Sequence, residues 1–133
     1  MGNFSSIDIS ASGLFAQRTR LDAIANNIAN ATTTRTEKGG PYKRQEVVFK
    51  SIMDDSIPGG VSVEQVVESQ EPPKMVYDPG HPDADTNGIV AMPNVNIVEE
   101  MVDMMTATRA YEANITAINS AKSMVQKALE IGR

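Results

Sequence analysis

Apolar positions return every four and then three residues through the last third of the chain. Ile97, Met101, Met104, Thr108, Tyr111, Ile115, Ile118, Lys122, Val125 and Leu129 mark a 3.5-residue seam over residues 96–131, interrupted only by Thr108 and Lys122. The repeat predicts one long amphipathic helix that asks for partner helices. Asn96 stands where its side chain can accept from the first free amides, with Glu99 three residues on as the other half of a capping box. Glu100 and Asp103 sit near the positive end of the helix dipole, and Lys122, Lys127 and Arg133 toward the negative end. At ~1.5 Å per residue this helix is roughly 50 Å long, so part of it is expected to project beyond its own domain. The same spacing returns near the N-terminus in Ile7, Ala11, Leu14, Arg18, Leu21, Ala25 and Ile28. It predicts a second helix, opened by Ser5 as N-cap with Asp8 and closed near Asn30. Gly13 inside that helix costs roughly 1 kcal/mol relative to Ala.

Between the two helices the period changes. Asn26, Asn27 and Asn30 crowd the helix end ahead of Thr32, Thr33 and Thr34, side chains that compete for backbone hydrogen bonds and stop a helix. These amides read either as a frayed C-terminus or as hydrogen-bonding groups for adjacent subunits. After a polar turn closed by Gly39, Gly40 and Pro41, residues 42–50 alternate as a half-buried strand, residues 57–60 turn, and residues 61–67 form a second β-branched run. A small hairpin is expected, with a short extended piece at residues 75–77 and loop over residues 78–94, where Pro79, Pro82, Pro93, Gly80 and Gly88 break regular structure. The predicted fold is mainly α with a small β-rich insertion. Residues 1–35 and 94–133 pair as an antiparallel coiled-coil hairpin, and residues 36–93 decorate it.

The apolar residues are mostly small or flexible, Trp is absent and aromatics make up 5 %, which favours helices lying close together. A net charge of −5 opposes phosphate binding, so nucleic acid is not an expected partner. Without Cys there is no disulfide or thiolate metal site. The first residues carry no basic cluster followed by an apolar core, so no cleavable secretory signal is expected. No run reaches the ~18 apolar residues of a membrane span, so no direct membrane insertion is expected either. By these features alone the chain reads as soluble and cytoplasmic.

The string from Asp83 to Gly88 matches the opening of an EF-hand loop, with oxygen ligands at the first, third and fifth positions and glycine at the sixth. The match then fails. Asn94 stands where a bidentate Glu is needed, and Pro82 and Pro93 displace the flanking helices. A rigid acidic turn bonding its own backbone is the expected reading, with a calcium-binding module as the alternative. His81, the one histidine, sits among Asp78, Asp83 and Asp85 without a second His, a nucleophile or a phosphate cradle, so no catalytic residue, metal site or cofactor is expected. Met101, Met104 and Met105 cluster as core filler or as a contact patch. Arg109 and Glu112 form a potential i,i+3 pair.

Two stretches resemble a known family. Residues 9–14, ISASGL, with residues 21–33, LDAIANNIANATT, are similar to the N-terminal signature of the bacterial flagellar axial proteins, in which Asn26, Asn27, Asn30 and Thr33 fall. GGPY at residues 39–42 before Val47, Val48 and Phe49, and YDPGHPDADTNGIVAMPNVN at residues 77–96 ahead of EEMVDMMTATRAYEAN, narrow the likeness to the proximal-rod members, as does the short length. The resemblance implies a structural, non-enzymatic subunit of the basal-body rod, self-assembling through its terminal helices into a tube that carries torque from motor to hook and lines the export channel. Another exported coiled-coil axial subunit is the alternative. The implied assembly seams are Ile7, Ala11, Leu14, Leu21, Ala25 and Ile28 on one helix and Ile97, Met101, Met104, Tyr111, Ile115, Ile118, Val125 and Leu129 on the other. Asp78, Pro79, Gly80, His81, Pro82, Asp83, Asp85 and Gly88 become a structural signature loop. Implied partners are further copies, other proximal and distal rod subunits, MS-ring and export-gate adaptor proteins, and the flagellar type III export apparatus, which would carry the chain uncleaved to the rod across the periplasm.

Overall fold

A computed structural model describes residues 2–132, with side chains from Ser5 onward. Helix α1 (Gly2–Ala29) leads into a hairpin of β1 (Gln45–Ser51) and β2 (Val61–Glu68). A second hairpin of β3 (Lys74–Tyr77) and β4 (Ile89–Met92) follows, and α2 (Ile97–Ile131) completes the chain. The molecule is therefore two helices packed together, carrying a small insertion of two separate antiparallel two-stranded sheets.

Several sequence-based expectations need correction. Helix α1 starts at Gly2, so Ser5 lies inside its first turns and does not cap it; the residues before Ser5 include no proline to break the helix. Strand β1 begins at Gln45, because Tyr42 and Arg44 are drawn into contacts with the helices described below. The register shifts between Val48 and Phe49, whose partners are Gln65 and Val63, so Glu64 of β2 is the extra residue of a bulge in the ladder. Residues 78–94 are not loop throughout. Ile89 to Met92, the one proline-free apolar run in that stretch, pairs with β3 and puts Val90 into the interior at 1 % exposure. At the far end of α2 the last turn has no basic residue among those described, and Arg133 lies outside them.

Asn96 caps α2 as expected, its Oδ1 accepting from Val98 N at 3.0 Å and Glu99 N at 3.3 Å. The buried line of α1 runs through Ser10, Ala16, Ala23, Ile24 and Asn27, and that of α2 through Glu100, Ala107 and Ala121. Small side chains dominate both lines, so the helix axes approach closely. Gly13 has the same origin: a Cβ there would meet Asn114 Nδ2 at 2.9 Å. Asn114 meanwhile spends that amide on its own helix, at Ala110 O. Gly13→Ala alone is expected to change stability by less than about 0.5 kcal/mol, because the helix-propensity gain is offset by displacing Asn114. Gly13→Ala with Asn114→Ala should stabilise by about 1 kcal/mol in urea unfolding.

Candidate assembly surfaces

Where the insertion joins the helices, four side chains from three segments converge on a buried polar knot. Asn27, 1 % exposed near the end of α1, uses both ends of its amide. Nδ2 donates to Gln45 O at 2.9 Å and to Glu100 Oε2 at 3.2 Å, while Oδ1 accepts from Tyr42 OH and from Gln45 N, both at 2.8 Å. All four hydrogen-bonding positions of the amide are filled. Glu100, also 1 % exposed, gives its other oxygen, Oε1, to the guanidinium of Arg44, which also bonds Glu46 and approaches Asp103 at 3.8 Å. Burial alone would lower the Arg44 pKa; the hydrogen bond and charge of Glu100, with those of Glu46, outweigh it and raise the value above the ordinary one. Burial, then the charges of Glu100 and Glu68, raise the Tyr42 phenol as well, so it stays a donor at neutral pH. The knot ties α1, the start of β1 and α2 into one register.

The signature loop is held by its own backbone. Asp85 Oδ1 accepts from Asn87 N at 2.8 Å and Ile89 N at 2.9 Å, and His81 Nδ1 accepts from Asp83 N at 3.0 Å. Gly88 sits at φ 76°, and a Cβ there would lie 3.0 Å from both Pro79 and Tyr77, so glycine is required twice over. Asp83 turns the other way, toward the segment after α1, accepting from Thr34 Oγ1 at 2.6 Å and from the Arg35 guanidinium. The two carboxylates of the acidic string thus serve different partners.

The Thr34 hydroxyl bond and then the Arg35 bond hold the Asp83 carboxyl below the ordinary carboxylate range. With the folded pKa depressed, this tie contributes above the unfolded pKa of about 3.9 and is lost as pH falls through the lower folded value. Carbon NMR of the Asp83 carboxyl is expected to titrate below that of a free Asp. In the Thr34→Val, Arg35→Ala double variant the midpoint should move back up.

The expected seam residues fall beside the buried lines. On α1, Ile7, Leu14, Leu21 and Ile28 are half-buried and Ala11 and Ala25 exposed; buried Ser10, Ile24 and Asn27 lie one residue before Ala11, Ala25 and Ile28, and buried Ala16 and Ala23 two residues after Leu14 and Leu21. On α2, Met104, Tyr111, Ile118 and Val125 are half-buried, whereas Ile97, Met101, Ile115 and Leu129 are 41 %, 52 %, 38 % and 66 % exposed. Of the signature amides, Asn27 is internal. Asn30 closes the helix, its Nδ2 bonding Asn26 O at 2.9 Å and its Oδ1 accepting from Thr33 at 3.1 Å. Asn26 itself is exposed.

Sequence reasoning placed Glu100 as a partner of the helix dipole and gave Tyr42 and Arg44 to a strand. A signal was present, since Glu100 shares its helix face with Ala107 and Ala121, and a carboxylate on a buried face requires a cation. Among the described residues Arg109 has no ion-pair partner, so the Arg109–Glu112 pair does not form. No helix is long and apolar enough to cross a membrane, and no group of three or more metal-ligating side chains gathers, both among the described residues.

Residues 7–35 match the family described as flagella basal body rod protein, and residues 86–131 the family described as flagellar basal body rod FlgEFG protein C-terminal. The chain is 49 % identical to the flagellar basal-body rod protein FlgC of Borreliella burgdorferi, over 98 % of each chain. It is 48 % identical to the FlgC of Salmonella typhimurium over 95 % of each, and 42 % identical to that of Bacillus subtilis over the full length of both.

Proposed function

This chain belongs to the FlgC family of flagellar basal-body rod proteins, and from that premise we propose that it builds the proximal rod by laying its terminal helices side by side as an antiparallel coiled-coil pair. It is a structural subunit of the flagellar basal-body rod and assembles with other rod and flagellar components. Residues 1–35 and 94–133 form the helical rod core in this reading, and residues 36–93 decorate it. Support for the antiparallel sense comes from Gly13 lying against Asn114 while Asn27 bonds Glu100. The observation that carries the assembly reading is the set of large apolar side chains left wet on the outer sides of both helices: Phe15 on α1, and Val98, Met101, Val102, Met105, Ile115 and Leu129 on α2.

Neighbouring copies and other proximal and distal rod subunits cover these side chains. MS-ring and export-gate adaptors meet the end of the assembly, and the type III apparatus delivers the chain. Burying about 1,000 Å² of apolar surface per subunit supplies on the order of 25 kcal/mol gross, against ~1–2 kcal/mol for each backbone residue newly ordered. These terms are comparable, so the helix ends are marginal in the free subunit and locked in the rod. A tube of such packed helices resists twist, transmits torque and encloses the export channel.

Amide hydrogen exchange on the free subunit and on purified basal bodies tests this reading. Fast exchange in residues 5–12 and 118–131 of the free chain, with strong protection in the rod, is expected. Equal protection in both states would sink the coupling of folding to assembly. Motility lost with Ile115→Asp, whose side chain is partly wet in the single chain, is the accompanying genetic outcome.

A further inference from the structure

We infer that Phe15 of one copy seats against the methionine-lined depression on α2 of a second copy, forming a head-to-tail contact. The inference rests on the assembly reading and names the residues of one of its contacts. Phe15 is 67 % exposed and lies on the side of α1 opposite its buried line, with Asp8, Ala11 and Arg18 exposed on the same side. The depression on α2 is lined by Met101, Met104, Met105, Thr108 and Arg109. Flexible thioethers mould around an aromatic ring and place sulfur at its edge, which suits an aromatic occupant.

A second copy of this chain is favoured because both halves of the contact are on it. Each half is the solvent side of a helix whose other side is buried, so the knob and the cup face away from each other across the pair. Such a contact cannot close by a two-fold axis and repeats from copy to copy, as an open assembly requires. Charge agrees as well. With the two contacting helices running in opposite senses and Phe15 set on Met105, Asp8 comes within about one turn of Arg109, and neither has an ion-pair partner among the described residues. Within one chain Gly13 lies level with Asn114, so Phe15 stands about two turns from the level of Met105. Seating it therefore requires the neighbouring copy to be displaced by about 10 Å along the helix axis.

The absence of native cysteine allows a clean test. Two tagged full-length copies, one with Phe15→Cys and the other with Met105→Cys, are produced together, basal bodies are isolated, and the thiols are oxidised. A disulfide-linked species carrying both tags is expected, with none between two Phe15→Cys copies. Asp8→Arg and Arg109→Asp are each expected to lower rod yield at least tenfold, and the pair together to restore it. If both cysteine variants enter basal bodies and no mixed disulfide forms, or if either links only to a different rod protein, the inference is overturned. If the unmodified chain does not enter basal bodies, the assembly reading itself fails.

Discussion

Arg44→Met is expected to destabilise the free subunit by about 3–5 kcal/mol, the largest single effect in the chain. The substitution keeps most of the side-chain volume and removes the cation that faces Glu100, whose side chain is 1 % exposed. Glu100 then keeps only the Asn27 amide at 3.2 Å, and an uncompensated buried carboxylate costs several kcal/mol. Loss of the surface contact to Glu46 adds little, because exposed pairs are worth at most about 1 kcal/mol. Arg44→Met combined with Glu100→Met should recover most of the loss, since replacing both members of a buried pair by apolar residues is often neutral or better. Equilibrium urea unfolding of the two variants decides the matter. A double variant as unstable as the single one would mean that the pair holds the fold by its geometry and not by neutralising charge.

The second large effect concerns how closely the helices approach. Ala16 and Ala107 are both 0 % exposed, and Leu at either position has no space to enter without moving a helix axis. Overpacking of this kind costs typically ~1–3 kcal/mol. It should also reduce incorporation into the rod, because a changed axis separation alters every neighbouring contact. Met105→Leu, at a side chain 59 % exposed, serves as the comparison and should stay within about 0.5 kcal/mol in the free subunit. Equal destabilisation at Ala107 and Met105 would mean that the small-residue line is not the helix–helix contact.

Much of the fold was legible because each element is specified locally. The 3.5-residue repeats, the cap at Asn96 and the proline-free β-branched runs need no partner to be recognised, and α2 and the first hairpin lie close to where they were expected. Strand β4 was missed because four residues between Gly88 and Pro93 carry too little periodicity to distinguish a strand from an apolar loop. Pairing with β3, twelve or more residues earlier, settles it.

The candidate site divides the same way. Gly88 and Asp85 could be read as turn residues from their neighbours alone. The roles of Asn27, Tyr42, Arg44 and Glu100 could not, because Asn27 and Glu100 meet across 73 residues of chain.

By itself the sequence determined the two helices, the first hairpin between them, the amphipathic character of both helices and the turn chemistry of the signature loop, all consequences of side-chain pattern within a few residues. Tertiary structure decided which of two adjacent stripes on each helix faces inward. Successive helical residues are rotated by about 100°, so a shift of one or two positions exchanges much of the Ile, Leu and Met seam for a line that holds Ala16, Ala23, Ala107 and Ala121 beside Ser10, Ile24, Asn27 and Glu100. Close approach of two backbones selects the small line, and the large apolar side chains are left on the flanks and outer faces.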